Sequence, residues 1–205
     1  MTGAHVVRVW SKEEPFLGAE LADVTIGEDS LSARGSAIGT NPLPYRLEYE
    51  LTTVEGFVTE RLWVRTEGKE WSRELDVRRL SSGDWVWEAG SEGDPDLPWV
   101  GGSRADAEGA LDCDLGLSPL TNSMPILRHR LHEGGEGGPI DFLMAWVSVP
   151  DLAVHPSRQR YTFLRREPEA RIVRYESRGG DFVADLRVDH DGLVIDYPKL
   201  ARRIG

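Results

Sequence analysis

Asp112 and Asp114 stand two residues apart in Asp112-Cys113-Asp114-Leu115. On an extended segment that spacing puts both carboxylates on one face. Paired carboxylates can act as acid and base on a sugar, or hold a divalent cation through oxygen ligands. The structural alternative is that they accept from the turn at Thr121-Asn122, or pair with Arg128 or Arg130, because a buried charge needs a partner. Asn122 has the same two readings. Its amide can grip a sugar hydroxyl, or it can satisfy its own turn. The planar fork of Arg128 suits a phosphate or carboxylate head group, and equally a salt bridge to Asp112 or Asp114.

Other chemistry is sparse. His129 and His132 are three apart, so on a strand they point to opposite faces and share no metal. No metal site is expected. Asp189-His190-Asp191-Gly192 imitates the start of a calcium loop without its closing Glu, and reads as a hairpin turn. The lone Cys113 excludes an intramolecular disulfide. Flanked by two Asp, it reads as a buried, inert thiol rather than a nucleophile. No nucleophile elbow, dinucleotide fingerprint or phosphate loop occurs, so no cofactor is expected.

The elements around these residues read as strand after strand. Residues 43–51 alternate apolar and polar with a period of two, and 57–65 continue the pattern after a turn at Glu55-Gly56. With 71–80 and Trp85-Val86-Trp87 they make a four-stranded antiparallel meander. Residues 90–108 read as a long loop or lid. Strands follow at Asp112, at Pro125–Arg128, and over 140–149, 161–166, 171–176, 181–188 and 193–196. A Gly-rich hairpin loop spans 133–139, and Asp191-Gly192 turns the last pair. Short helices are expected at 105–111 and 198–204. The fold class is all-β: a large antiparallel barrel-like or strongly curled sheet with one or two short helices, in a single domain over 1–205. Closing the barrel would remove exposed sheet edges.

Composition sets the partners. The formal charge is −11, which opposes nucleic-acid binding and charge-driven docking on an anionic membrane. No leader or membrane-length apolar run is visible, which gives an expectation of a cytoplasmic protein. The seven Trp would line a cavity, plug a barrel end, or serve as core residues with satisfied N–H groups.

Three motifs carry a resemblance. The first is Asp112 to Leu115, Pro119 to Asn122 and Pro125 to Arg128. The second is Trp146 to Leu152 with Gln159-Arg160-Tyr161. The third is Val188 to Pro198. Together they resemble a bacterial domain family of unknown function described as "putative glycolipid-binding", along nearly the whole chain. Cys113, Ser118, Ser123 and Leu127 depart from that pattern. The resemblance implies a barrel-like fold similar to bacterial lipoprotein carriers. It also implies a glycolipid or fatty-acyl ligand in a barrel cavity, with Asp112, Asp114, Thr121, Asn122, Arg128, Trp146 and Tyr161 as ligand-binding residues and no catalytic ones. The competing readings are an enzyme on a carbohydrate or small metabolite that uses the paired Asp, and a protein-interaction module with a filled barrel.

Overall fold

The structure, a computed structural model, describes residues 3–135, 138–179 and 182–205. Its strands are β1 (Ala4–Lys12), β2 (Gly18–Ile26), β3 (Leu31–Gly39), β4 (Tyr45–Val54), β5 (Val58–Gly68), β6 (Trp71–Arg79) and β7 (Trp85–Glu92), followed by β8 (Asp112–Leu115), β9 (Ile140–Val147), β10 (Val154–Glu167), β11 (Ala170–Ser177), β12 (Val183–Val188), β13 (Val194–Tyr197) and β14 (Ala201–Arg203). They form one 14-stranded sheet in the order β7-β6-β5-β4-β3-β2-β1-β14-β13-β12-β11-β10-β9-β8. Neighbours are antiparallel except β8 and β9, which run parallel. The expected all-β curled sheet is present. It is not closed, and β7 and β8 are its two edges.

Most of the sequence pattern survives. The meander is β4 to β7, built from inward residues such as Leu47, Leu51, Leu62 and Leu75, all buried. Two expectations fail. Pro125–Arg128 is not a strand but the last four residues of a helix, α1 (Ser123–Arg128), entered through a 3-10 turn at Leu120–Asn122. Pro125 lies in the first turn of α1, where a missing N–H breaks no helical hydrogen bond. Residues 198–204 do not form a helix either. Ala201–Arg203 is β14, which pairs with both β1 and β13. The helix expected at 105–111 shrinks to a 3-10 turn at Arg104–Ala107. Part of the expected Gly-rich loop (Glu136, Gly137) and the expected start of the strand at Asp181 lie outside the described residues.

The concave side of the sheet is packed with the chain's own segment 112–133. Cys113, Leu115, Leu120 and Met124 lie against Trp10, Leu62 and their neighbours on β1 to β6. Ile126 and Leu131 lie against Tyr161, Val173 and Leu186 on β10 to β12. Two Trp are core residues with satisfied N–H groups. Trp10 Nε1 donates to the Val194 carbonyl at 2.8 Å, and Trp85 Nε1 donates to the Ala110 carbonyl at 3.1 Å. The loop after β7 is pinned rather than free. Gly101 N–H donates to Leu152 O at 2.9 Å and Gly101 O accepts from Val154 N–H at 2.8 Å, tying the loop to the start of β10.

Candidate functional site

The parallel register of β8 on β9 sets the site. Asp112 lies beside Met144 and Asp114 beside Trp146. Alternation along β8 sends Cys113 and Leu115 into the packing against β1 to β6. It sends both Asp to the other face, as the spacing of two requires. From there their environments diverge.

Asp112 is 1% exposed. Arg128 Nη1 donates to its Oδ2 at 2.8 Å, and Arg128 Nη2 pairs with its Oδ1. The same guanidinium donates through Nε to the Gly56 carbonyl at 2.6 Å and through Nη2 to the Phe57 carbonyl at 2.9 Å. Arg128 therefore clamps β8 to the turn between β4 and β5. Four of its five donors are spent on the protein, which leaves no paired fork for a ligand head group.

Asp114 is only half-buried. Thr121 Oγ1 donates to its Oδ1 at 2.7 Å, and Gln159 Nε2 donates to its Oδ2 at 2.6 Å. The chain of bonds continues inward. Tyr161 OH donates to Gln159 Oε1 at 3.1 Å, and Asn122 Nδ2 donates to Tyr161 OH at 2.7 Å. The donor directions agree throughout. An ionised carboxylate only accepts, so Gln159 must present its NH2 to Asp114 and its oxygen to Tyr161. Burial pushes the Asp114 carboxyl up to about 6, against the lowering effect of the Thr121 and Gln159 donors. The same enclosure raises Tyr161 well above its ordinary value.

Trp146 stands next to Asp114 across the β8–β9 pair and is half-buried. Its ring centroid lies 5.8 Å from that of His155, its register partner on β10, with the rings tilted by 34°. The structure thus joins Asp114, Thr121, Asn122 and Tyr161 in one hydrogen-bond network and sets Trp146 beside it. Asp112 and Arg128 form a separate clamp. Sequence reasoning missed Gln159, which is the centre of the network. The period of two along Gln159-Arg160-Tyr161 carried the signal, since it puts Gln159 on the face of Tyr161.

The remaining candidates fall into place structurally. Cys113 is fully buried. Its N–H donates to Thr59 Oγ1 at 3.0 Å, and burial pushes its thiol up to about 12. Asp189 Oδ1 accepts from the N–H groups of Asp191 and Leu193, so the calcium-like motif is a turn. Among the described residues no three His, Cys, Asp or Glu side chains gather to hold a metal. No helix among them is long and apolar enough to cross a membrane.

Comparison with known proteins decides the family. Residues 7–203 match the family described as "Putative glycolipid-binding". This chain belongs to it. A crystal structure of a DUF1089 family protein from Pseudomonas aeruginosa is similar over 90% of this chain and 92% of that one, with 28% identity and a TM-score of 0.67. No curated protein matches. The fold of this family member is a curled sheet, and the segments Asp112–Leu115 and Thr121-Asn122 of this chain build the two polar constellations just described.

Proposed function

We propose that this chain binds an amphipathic glycolipid without chemical turnover and recognises its polar head at the Asp114–Trp146 end of the network. One observation carries the reading. A part-buried carboxylate, aimed by Thr121 and Gln159, lies beside a half-buried indole that is itself paired with the exposed His155 ring. Directed acceptors and an aromatic face are the combination that holds a sugar by its hydroxyls and its C–H surface. The buried part of the network keeps that first layer rigid.

The ligand's tail is placed differently from the hollow-barrel expectation. An acyl chain gains about 0.8 kcal/mol per methylene it buries. Inside the sheet it would have to displace Leu120 and Met124, which already fill the space at comparable gain. The tail therefore stays outside the sheet. The paired-Asp enzyme fares worse than the binder. Asp112 is locked against Arg128 and faces no opening, so the two carboxyls do not converge on a substrate.

The test is a titration of purified protein with octyl glucoside below its micelle concentration, read by tryptophan fluorescence. Trp146→Ala and Asp114→Asn should each weaken binding by roughly tenfold or more, while Trp99→Ala on the exposed loop leaves it alone. Absence of binding, or equal binding by all three variants, rejects the site. Mass spectrometry of the solvent extract adds a check, since hexose-bearing lipid should co-purify.

A second reading, the protein-interaction module, draws on a different observation. Val7 on β1, Leu21 on β2 and Ile38 on β3 are exposed on the outer face, with Ile204 exposed just after β14, over a filled interior. A monomer in sedimentation that is unchanged by Ile38→Lys speaks against self-association through that face.

A further inference from the structure

β2, β4 and β12 run in the same direction across the sheet, so the turns that follow them share one end of it. There, five stretches of chain surround a cleft of about 580 Å³. They are the turn after β2 at Gly27–Asp29, the turn after β4 at Gly56-Phe57, the end of α1, a 3-10 turn at Leu131–Glu133, and the turn after β12 at His190-Asp191. Asp114 and Trp146 do not line this cleft.

Two of its walls are strained. Phe57 has a φ of 56° and Arg130 a φ of 51°, the left-handed region that a bulky side chain makes costly. Hydrogen bonds hold both in place. Phe57 N–H donates to the Asp29 carbonyl at 2.8 Å, and the Phe57 carbonyl accepts from Arg128. The Arg130 carbonyl accepts from the N–H groups of Glu133 at 2.9 Å and Gly135 at 3.0 Å. The first set ties the Glu28-Asp29 wall to the Arg128 clamp. The second turns the chain so that His132 and Glu133 form another wall. Strain of this kind gathers at ligand clamps.

The charges around the cleft do not balance. Four carboxylates line it, on Glu28, Asp29, Glu133 and Asp191, against the guanidiniums of Arg128 and Arg130. Arg128 is spent on Asp112, and Arg130 on Glu133. Asp191 Oδ2 has Arg8 Nη2 at 3.5 Å. Glu28 and Asp29 are exposed, and their side chains form no ion pair or hydrogen bond among the described residues. The His132 side chain is 12% exposed. Burial holds its imidazole below the ordinary value, so the ring is neutral at pH 7 and carries an acceptor nitrogen.

The cleft therefore offers a negative field and unspent acceptors, which oppose an anion. A bare divalent cation lacks its ring of ligands, because no three His, Cys, Asp or Glu side chains gather among the described residues. An ammonium fits both features, with three donors and no acceptor. The carbon skeleton attached to it meets Ile26, Phe57 and Leu127, which also line the cleft.

We infer that this cleft binds an organic primary ammonium, held by Glu28 and Asp29 with its carbon skeleton over Phe57 and Leu127. A free amine and an amine-bearing lipid head group share that chemistry.

The experiment is isothermal titration calorimetry at pH 7, with sodium chloride of equal ionic strength as the control. The probes are n-butylammonium, dihexanoyl phosphatidylethanolamine and dihexanoyl phosphatidylglycerol, both lipids below their micelle concentrations. Saturable binding with a Kd of about a millimolar or tighter is expected from at least one ammonium probe. Binding of butylammonium marks a free-amine site, and binding of the ethanolamine lipid alone marks a head-group site. Glu28→Gln combined with Asp29→Asn should weaken binding by roughly tenfold or more. Both residues are exposed, so Tm should stay within about 2 °C. Glu28→Lys, which tethers an ammonium at the cleft, should erase binding. Asp114→Asn should leave it intact, so this site and the sugar site fail separately. The inference is overturned if neither ammonium probe binds, if phosphatidylglycerol binds as well as they do, or if the double variant or Glu28→Lys binds like the native chain.

Discussion

The side-chain amide of Gln159 donates to Oδ2 of Asp114 at 2.6 Å across 45 positions of sequence. That bond joins β8 to β10 over the intervening β9 and links the part-buried carboxylate to the buried Tyr161 hydroxyl. It makes the acidity of Asp114 a readout of the whole network.

The first prediction is a pH dependence. Asp114 in the folded chain titrates at about 6, above its ordinary value of 3.8, with burial as the largest cause. Between these two values the folded state keeps a proton that the unfolded state has lost. Stability from this group is therefore greatest below about pH 4, falls as pH rises to about 6, and is flat above. With its partial exposure discounted, the loss is about 1–2 kcal/mol. Urea unfolding from pH 4 to 7 should show this slope in the native chain and not in Asp114→Asn. Gln159→Leu removes a donor to the ionised form, so it should raise the Asp114 titration further, as followed by carboxyl NMR.

A second prediction concerns Arg128. Arg128→Met leaves Asp112 buried without its cation and strips the Gly56 and Phe57 carbonyls of a donor. Breaking a buried pair from one side costs about 3–5 kcal/mol. Asp112→Asn should also lower the urea midpoint. An unchanged midpoint for either variant would show that the clamp is not structural.

Tyr161→Phe tests the inner half of the network. The hydroxyl both accepts from Asn122 and donates to Gln159. Removing it strands a buried amide donor, at a cost of about 1–3 kcal/mol. Asn122→Leu combined with Tyr161→Phe should cost less than the sum of the single changes, because each change removes the other's orphan. Additive losses in urea would deny that the two residues act together.

Legibility in the sequence followed the physics of each segment. The meander from β4 to β7 was readable because one face is core and the other solvent, so alternation is clean. Pro125–Arg128 was misread as a strand because Pro125, Ile126 and Leu127 are all buried. A short run apolar on every side has no period that tells helix from strand. β2 escaped notice because Glu20 faces in and Leu21 faces out, the reverse of what a half-buried strand shows. β14 was hidden because three residues between established strands take their conformation from the partners on either side. At the site, the Asp pair was legible as two carboxylates on one face. Their unlike fates were not, because they depend on Arg128 and Gln159 arriving from distant elements. The inward Glu20 beside the outward Leu21 breaks the alternation that the local rule relies on.

The last prediction rests on Gly35. It pairs with Tyr49 across β3 and β4, and the Tyr49 ring lies flat over it, so that a Cβ on Gly35 would run into the ring. The clash cannot be relieved by rotating the ring outward without losing the bond from Tyr49 OH to Glu20. Gly35→Ala should therefore carry both an overpacking cost and the loss of a charged hydrogen bond, about 2–4 kcal/mol together. Tyr49→Leu removes the ring and with it the reason for the glycine. In that background Gly35→Ala should cost under about 1 kcal/mol. If the alanine is equally harmful in both backgrounds by urea unfolding, the backbone at position 35 and not the ring is what demands glycine. That outcome is not expected, because Gly35 lies inside a regular ladder and is not among the positive-φ glycines.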